Sequence, residues 1–145
     1  MPRLRELVSR LWTEHTTPLR LGAAVGLGVL VGCSPFFGLQ AVIAVGLAFV
    51  LRLNKVAALL GSQVSIPPLA PFIGLASVEL GSWLVTGSFA PLAVADFRWG
   101  ALRDTVSRFA LFWLVGSVLV GAVLGTLAFA ATAAIVRWRR SRGGE

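Results

Sequence analysis

The sequence predicts an all-α integral membrane protein with two proline-broken re-entrant helical hairpins, amphipathic interfacial helices and a C-terminal transmembrane helix. Three observations lead there. The chain is 57% hydrophobic and only 13% charged, where an ordinary soluble domain carries about a quarter charged residues. Charge is absent from 21 to 51, from 56 to 78 and from 109 to 136, so it collects between apolar blocks. Prolines and polar residues interrupt the first two blocks near their middles, where a helix loses a backbone donor.

In chain order, residues 1–18 read as an N-terminal amphipathic helix. Leu4, Leu7, Val8, Leu11 and Trp12 recur at helical spacing, with Arg3, Arg5, Glu6, Arg10 and Glu14 on the other face. Such a helix lies on a membrane surface. Residues 19–95 read as a broken-hairpin membrane core. The block 21–51 is too short for two spans and too long for one. It breaks at Cys33-Ser34-Pro35-Phe36-Phe37-Gly38, where Pro35 ends the first arm and Gly38 permits a reversal. Two arms of about 14 residues would each reach about 20 Å into the bilayer. The second block repeats the plan. Its arms are Val56–Val64 and Phe72–Val85, separated by Ser65-Ile66-Pro67-Pro68-Leu69-Ala70-Pro71. This apolar arm, break and apolar arm is the hydropathy repeat of transporters whose broken helices meet near the midplane.

Residues 96–145 supply an interfacial helix capped by Asp96, a span over 109–136 and a basic tail from Arg137 to Arg142. Gly121 and Gly125 form a GxxxG close-packing face in that span. The basic tail, with Arg3, Arg5 and Arg10, belongs on the cytoplasmic side by the positive-inside rule, which points to a multi-pass protein of the bacterial inner membrane.

The composition also argues against several chemistries. The net charge is +7, but the cations sit at the edges of apolar blocks, which favours anionic headgroups over nucleic acid as partner. One cysteine and one histidine make neither a disulfide nor a zinc site. No catalytic triad, paired carboxylates beside a histidine or phosphate-cradling glycine loop can be assembled, so neither enzyme activity nor a cofactor is expected. Leu30-Val31-Gly32-Cys33 has the form of a lipoprotein cleavage box, but cleavage there normally releases a polar domain and this chain continues apolar.

Candidate substrate contacts are the polar residues left inside or between the blocks: Arg20, Gln40, Arg52, Asn54, Lys55, Gln63, Ser65 and Glu79. Gln40, Gln63 and Ser65 flank the breaks, and would satisfy freed backbone groups or line a passage between them. Arg20, Arg52 and Lys55 either hold a lipid phosphate or snorkel to the interface. Glu79 is the only acid between Glu14 and Asp96. It reads as a proton-coupling or headgroup-binding carboxylate, or as a structural ion pair with Arg20 or Arg52, or as a residue at headgroup level.

Gly26, Gly28 and Gly32 before Pro35, Gly38-Leu39-Gln40, Leu51-Arg52-Leu53-Asn54, Ser65-x-Pro67 with Pro71, and Gly81 together form a recognisable spacing. Over roughly residues 19 to 87 the chain resembles the bacterial membrane family catalogued as domain of unknown function number two thousand and sixty-two. That family usually carries Asn-Pro at the second break, where this chain has Ile66-Pro67. Some of its members are joined to glycosyltransferase domains, so the resemblance implies a place near glycan or lipid-carrier metabolism and a possible glycosyltransferase partner. In plan the broken hairpins are also similar to membrane families proposed to flip polyprenyl-phosphate carriers, an analogy of architecture. The expected function is transport of a lipid or lipid-linked substrate by a homo-oligomer; the alternative is a non-transporting scaffold for a glycosyltransferase or envelope complex.

Overall fold

A computed structural model describes residues 17–89 and 102–143. The expected surface helix over 3–16 and the Asp96 cap lie outside the described residues. Within them the chain forms helices and no strand: α1 (Pro18–Gly32), α2 (Gln40–Val50), α3 (Lys55–Ser62), α4 (Ala70–Thr86) and α5 (Leu102–Arg142).

Local signals account for most boundaries. α1 starts where Thr17 Oγ1 accepts from the Arg20 amide at 3.3 Å, with Pro18 in the first turn, where its missing donor costs nothing. It stops two residues short of Pro35. Asn54 caps α3 by accepting from the Val56 and Ala57 amides, both at 3.0 Å. Gly87, at φ 75°, closes α4 in the left-handed conformation. α2 ends in a Schellman motif in which the Leu53 amide donates to Ala48 O at 2.8 Å and the Arg52 amide to Phe49 O at 3.2 Å. The left-handed position of that motif usually holds glycine; here it holds Arg52, at φ 53°.

α5 runs unbroken through Arg142, so the expected interfacial helix, as far as it is described, is continuous with the span. Nothing between 102 and 115 interrupts it, because that stretch contains neither glycine nor proline. α5 is long and apolar enough to cross a membrane. Asp104 in its first turn and Arg139, Arg140 and Arg142 in its last complement the helix dipole.

Packing is organised along α5. α1 lies antiparallel to it, with Gly22 at Phe129, Gly26 at Gly125 and Leu30 at Gly121. α3 runs parallel to α1, with Gly28 against Ala58 and Gly32 against Ser62, and α2 packs antiparallel on both. α4 crosses α5 where Ser77 and Gly81 meet Phe112 and Gly116. Ile73, earlier in α4, faces Val120 and Leu124, later in α5, so this pair is antiparallel as well. α1 therefore lies along the C-terminal half of α5, with α2 and α3 packed on α1, and α4 along its N-terminal half.

Only the first break reverses the chain. α1 and α2 pack as antiparallel arms, but α3 and α4 do not lie side by side as the arms of a second hairpin would. Their directions along α5 are the same, so the Pro67–Pro71 segment interrupts a course that then continues. Gly38 takes φ 86° in the first break, whereas no residue of the second break adopts a positive φ.

The interior is made of small residues and the surface of large apolar ones. Ala24, Ala44, Ala48, Ala58 and Ser77 are fully buried, while Val42, Phe49, Phe72, Val118 and Leu127 are each more than 60% exposed. In water so much contiguous apolar surface would drive association, whereas in lipid small-residue seams with large side chains outward are the usual arrangement. A Cβ on Gly26 would come within 2.7 Å of Gly125 O, so these helices touch backbone to backbone. The GxxxG pair Gly121 and Gly125 is used inside the chain, against Leu30 and Gly26 of α1.

Candidate functional site

The residues singled out from sequence fall at three levels along α5. At its C-terminal end, Val136 is buried against Leu21, Ala24 and Ala57, with Leu53 packed beside them. This contact brings α1's first turn, the Arg52 turn and the tail together. Arg20 donates from Nη2 to Arg52 O at 3.3 Å, Lys55 Nζ stands 4.6 Å from the Phe49 ring centroid, and Asn54 is spent on capping α3. Arg137, Arg139, Arg140 and Arg142 emerge at the same end, with Arg142 stacked on Trp138. Seven of the nine described cations thus share one end, and the described acids, Glu79 and Asp104, lie elsewhere.

The two breaks form the second level. Ser65 Oγ donates to Gly32 O across the gap between them. Gln40 Nε2 donates to Ser34 O at 2.6 Å, and Ser34 Oγ to Val31 O at 2.6 Å. Ser62 Oγ donates to Leu59 O at 2.7 Å, and Gln63 Nε2 reaches Ser62 Oγ at 3.4 Å. Pro35 has no amide to give Val31 O, and Ser34 Oγ donates to that carbonyl; Pro67, Pro68 and Pro71 likewise give no amide within the second break. Cys33 is buried against Val29 and Ile73, and cleavage before it would remove α1, which packs along both α3 and α5. The first break meets α5 beside Gly121, since Cys33 and Leu30 both contact that glycine, and Ser65 ties the second break to the first. Gly121 is also close to the centre of the uncharged stretch 109–136.

Glu79 belongs to the third level. It is half-buried on α4 between Ser77 and Gly81, opposite 112–116 of α5. Roughly twenty residues of α5, about 30 Å, separate it from the basic end, so an ion pair with Arg20 or Arg52 does not form. Among the described residues Glu79 makes no hydrogen bond or ion pair.

Two aromatic residues that the sequence reading passed over stand beside the first break. Phe37 and Trp113 meet edge to face at 5.8 Å, and Trp113 meets Phe109 at 6.1 Å. The Trp113 Nε1–H is buried with no acceptor. The available signal was the Phe109/Trp113 pair at helical spacing just inside Arg108.

These features define a small helical protein with, among the described residues, one helix of membrane-crossing length, an apolar exterior and two helix breaks tied together halfway along it. The chain belongs to the family DUF2062, described as uncharacterized protein conserved in bacteria, whose model matches residues 2–143. The match extends well past 19–87 and takes in both the N-terminal segment and α5. No curated protein and no solved structure matches the chain.

Proposed function

We propose that the protein is a multi-pass protein of the bacterial inner membrane that moves a lipid or lipid-linked substrate, of the polyprenyl-phosphate type, between leaflets. One observation carries the reading: both breaks converge, joined by Ser65 and Gly32, at the centre of the longest helix's uncharged stretch. With α5 as the span, they sit near the bilayer midplane, where interrupted backbone persists only inside protein or beside a wet cavity. Broken helices meeting at that depth are the arrangement in which transporters hold substrate. α1 and α2 are then a re-entrant hairpin, and the basic end faces anionic headgroups on the cytoplasmic side. Gln63 is exposed at break level, and a homo-oligomer would shield its amide from lipid.

The rival reading is a scaffold that holds a glycosyltransferase or envelope complex. It is favoured by the engagement of Ser34, Gln40, Ser62 and Ser65 with carbonyls, which suits a rigid joint. Reconstitution into liposomes with a labelled polyprenyl-phosphate carrier separates the two. Transport predicts movement between leaflets faster than in protein-free vesicles; a rate equal to theirs rejects it. Glu79→Gln in the same vesicles tests proton coupling, because it keeps shape and hydrogen bonding while removing titration. Wild-type movement at every pH would end that role and leave Arg20 and Arg52 as the better substrate contacts.

A further inference from the structure

Between α2 and α3 lies a groove of about 570 Å³ lined by Ala41, Val45, Gly46, Phe49, Lys55 and Leu59, among others. It is apolar along its length and charged at one end. Lys55 begins α3, and its Nζ stands 4.6 Å from the Phe49 ring centroid, where the ring meets one face of the ammonium and leaves donors over. Arg52 lies in the turn that joins the two helices. It is exposed, and its guanidinium makes no hydrogen bond or ion pair among the described residues. Arginine here holds φ 53°, where glycine would be less strained, and strain of this kind is kept where a side chain serves a site. Arg20 Nη2 reaches the Arg52 carbonyl, which brings a third cation to the same turn. Neither described acid, Glu79 or Asp104, lies at this end, so among the described residues nothing negative answers these charges.

The depth of the groove matches one leaflet. α3 runs from Ser62, at the level of the breaks, to Lys55, a rise of about 12 Å. On α2 the lining from Ala41 to Phe49 covers about the same distance. Half the hydrocarbon thickness is about 15 Å, and a lysine stem reaches across the remainder to the headgroups. We propose that this groove holds an anionic glycerophospholipid of the leaflet at the basic end. One acyl chain lies along Val45, Gly46 and Leu59, and the phosphate is held by Lys55 and Arg52. The site rests on α5 crossing a bilayer and does not depend on transport.

The test uses the full chain purified in mild detergent, with native mass spectrometry of the first lipid retained on titration with dioleoyl phosphatidylglycerol or with dioleoyl phosphatidylcholine, which has the same chains and no net charge. The wild type should hold phosphatidylglycerol about fivefold more tightly, the worth of one cation at an anionic headgroup. Lys55→Gln and Arg52→Gln should each weaken that lipid about fivefold, whereas Arg142→Gln, stacked on Trp138 beyond the groove, should leave it unchanged. Equal losses from all three variants would make the preference a diffuse property of the basic end and overturn the site. Gly46→Leu places a side chain where nothing lies within 4 Å, so it should fold, fill the groove and reduce retention of both lipids; unchanged retention also overturns the site. A polyprenyl phosphate held about tenfold more tightly than phosphatidylglycerol, or a dimer that Gly46→Leu dissociates, assigns the groove to another occupant and rejects this one. Alkaline carbonate extraction distinguishes the failures. Release from the membrane rejects the membrane reading and this site with it, whereas an embedded protein without the preference rejects the site alone.

Discussion

At the scale of residues, strain and satisfaction meet at two positions. Arg52 occupies a left-handed position at φ 53°, which costs a non-glycine residue about 1 kcal/mol. The hydrogen bond it receives from Arg20 goes to its carbonyl and survives a change of side chain. Arg52→Gly should therefore stabilise the protein by ~0.5 kcal/mol, the relief being partly offset by glycine's freedom in the unfolded chain. The same change removes a cation and should weaken binding to anionic vesicles by ~1 kcal/mol. Thermal unfolding in detergent and vesicle co-sedimentation read the two effects, and a loss of stability would show that the turn depends on the arginine side chain. Ser65→Ala removes the link between the breaks and leaves Gly32 O without that donor. It should cost ~1 kcal/mol in the same unfolding assay, and an unchanged midpoint would mean that the link contributes nothing.

At the scale of elements, helix pairing rests on backbone contact at glycine, and not on large interlocking side chains. The α4–α5 crossing is the tightest case: a Cβ on Gly116 would fall on Ser77 O, and one on Gly81 on Phe112 O. A side chain there cannot be accommodated by rotamer change, because the obstacle is a carbonyl. Gly116→Ile should separate the two helices and destabilise the fold by ~3 kcal/mol, seen as loss of monodisperse protein on gel filtration. Gly46 is the contrasting control, since nothing lies within 4 Å of its Cβ position. Gly46→Ala should be neutral or slightly stabilising through helix propensity; a large destabilisation would mean that the outer face of α2 is covered.

At the scale of the whole molecule, polarity is asymmetric along α5. The cations of α1, the Arg52 turn and the tail gather at one end, while α4 ends toward the other. With α5 as the span, single cysteines at Arg52 and Ser141, each in a Cys33→Ala background, should react with an impermeant maleimide from one side of the membrane. A cysteine at Ser88 should react from the opposite side, and cysteines at Phe37 and Ile66 from neither. Labelling of positions 52 and 88 from the same side would reject the continued course of α3 into α4.

Much of this architecture is written in one dimension. The uncharged blocks, the capping residues Thr17 and Asn54, the breaks at Pro35 and Pro67 and the apolar stretch of α5 follow from composition, missing backbone donors and side-chain caps, all of which act within a few residues. Three matters were decided only by tertiary structure, because each depends on contacts between residues far apart in the chain. The second break does not fold back: proline marks an interruption but not the direction taken after it, and α4 packs along α5 instead of back against α3. The GxxxG of α5 packs within the chain, because a small-residue face is equally suited to an internal helix and to a second copy. The polar residues that looked like one site are spread over three levels of a long helix, since charge and hydropathy order them in sequence without saying which depths they share. Trp113 shows the same limit, because only packing against Phe37 and Phe109 makes an ordinary interfacial tryptophan into a buried donor without an acceptor.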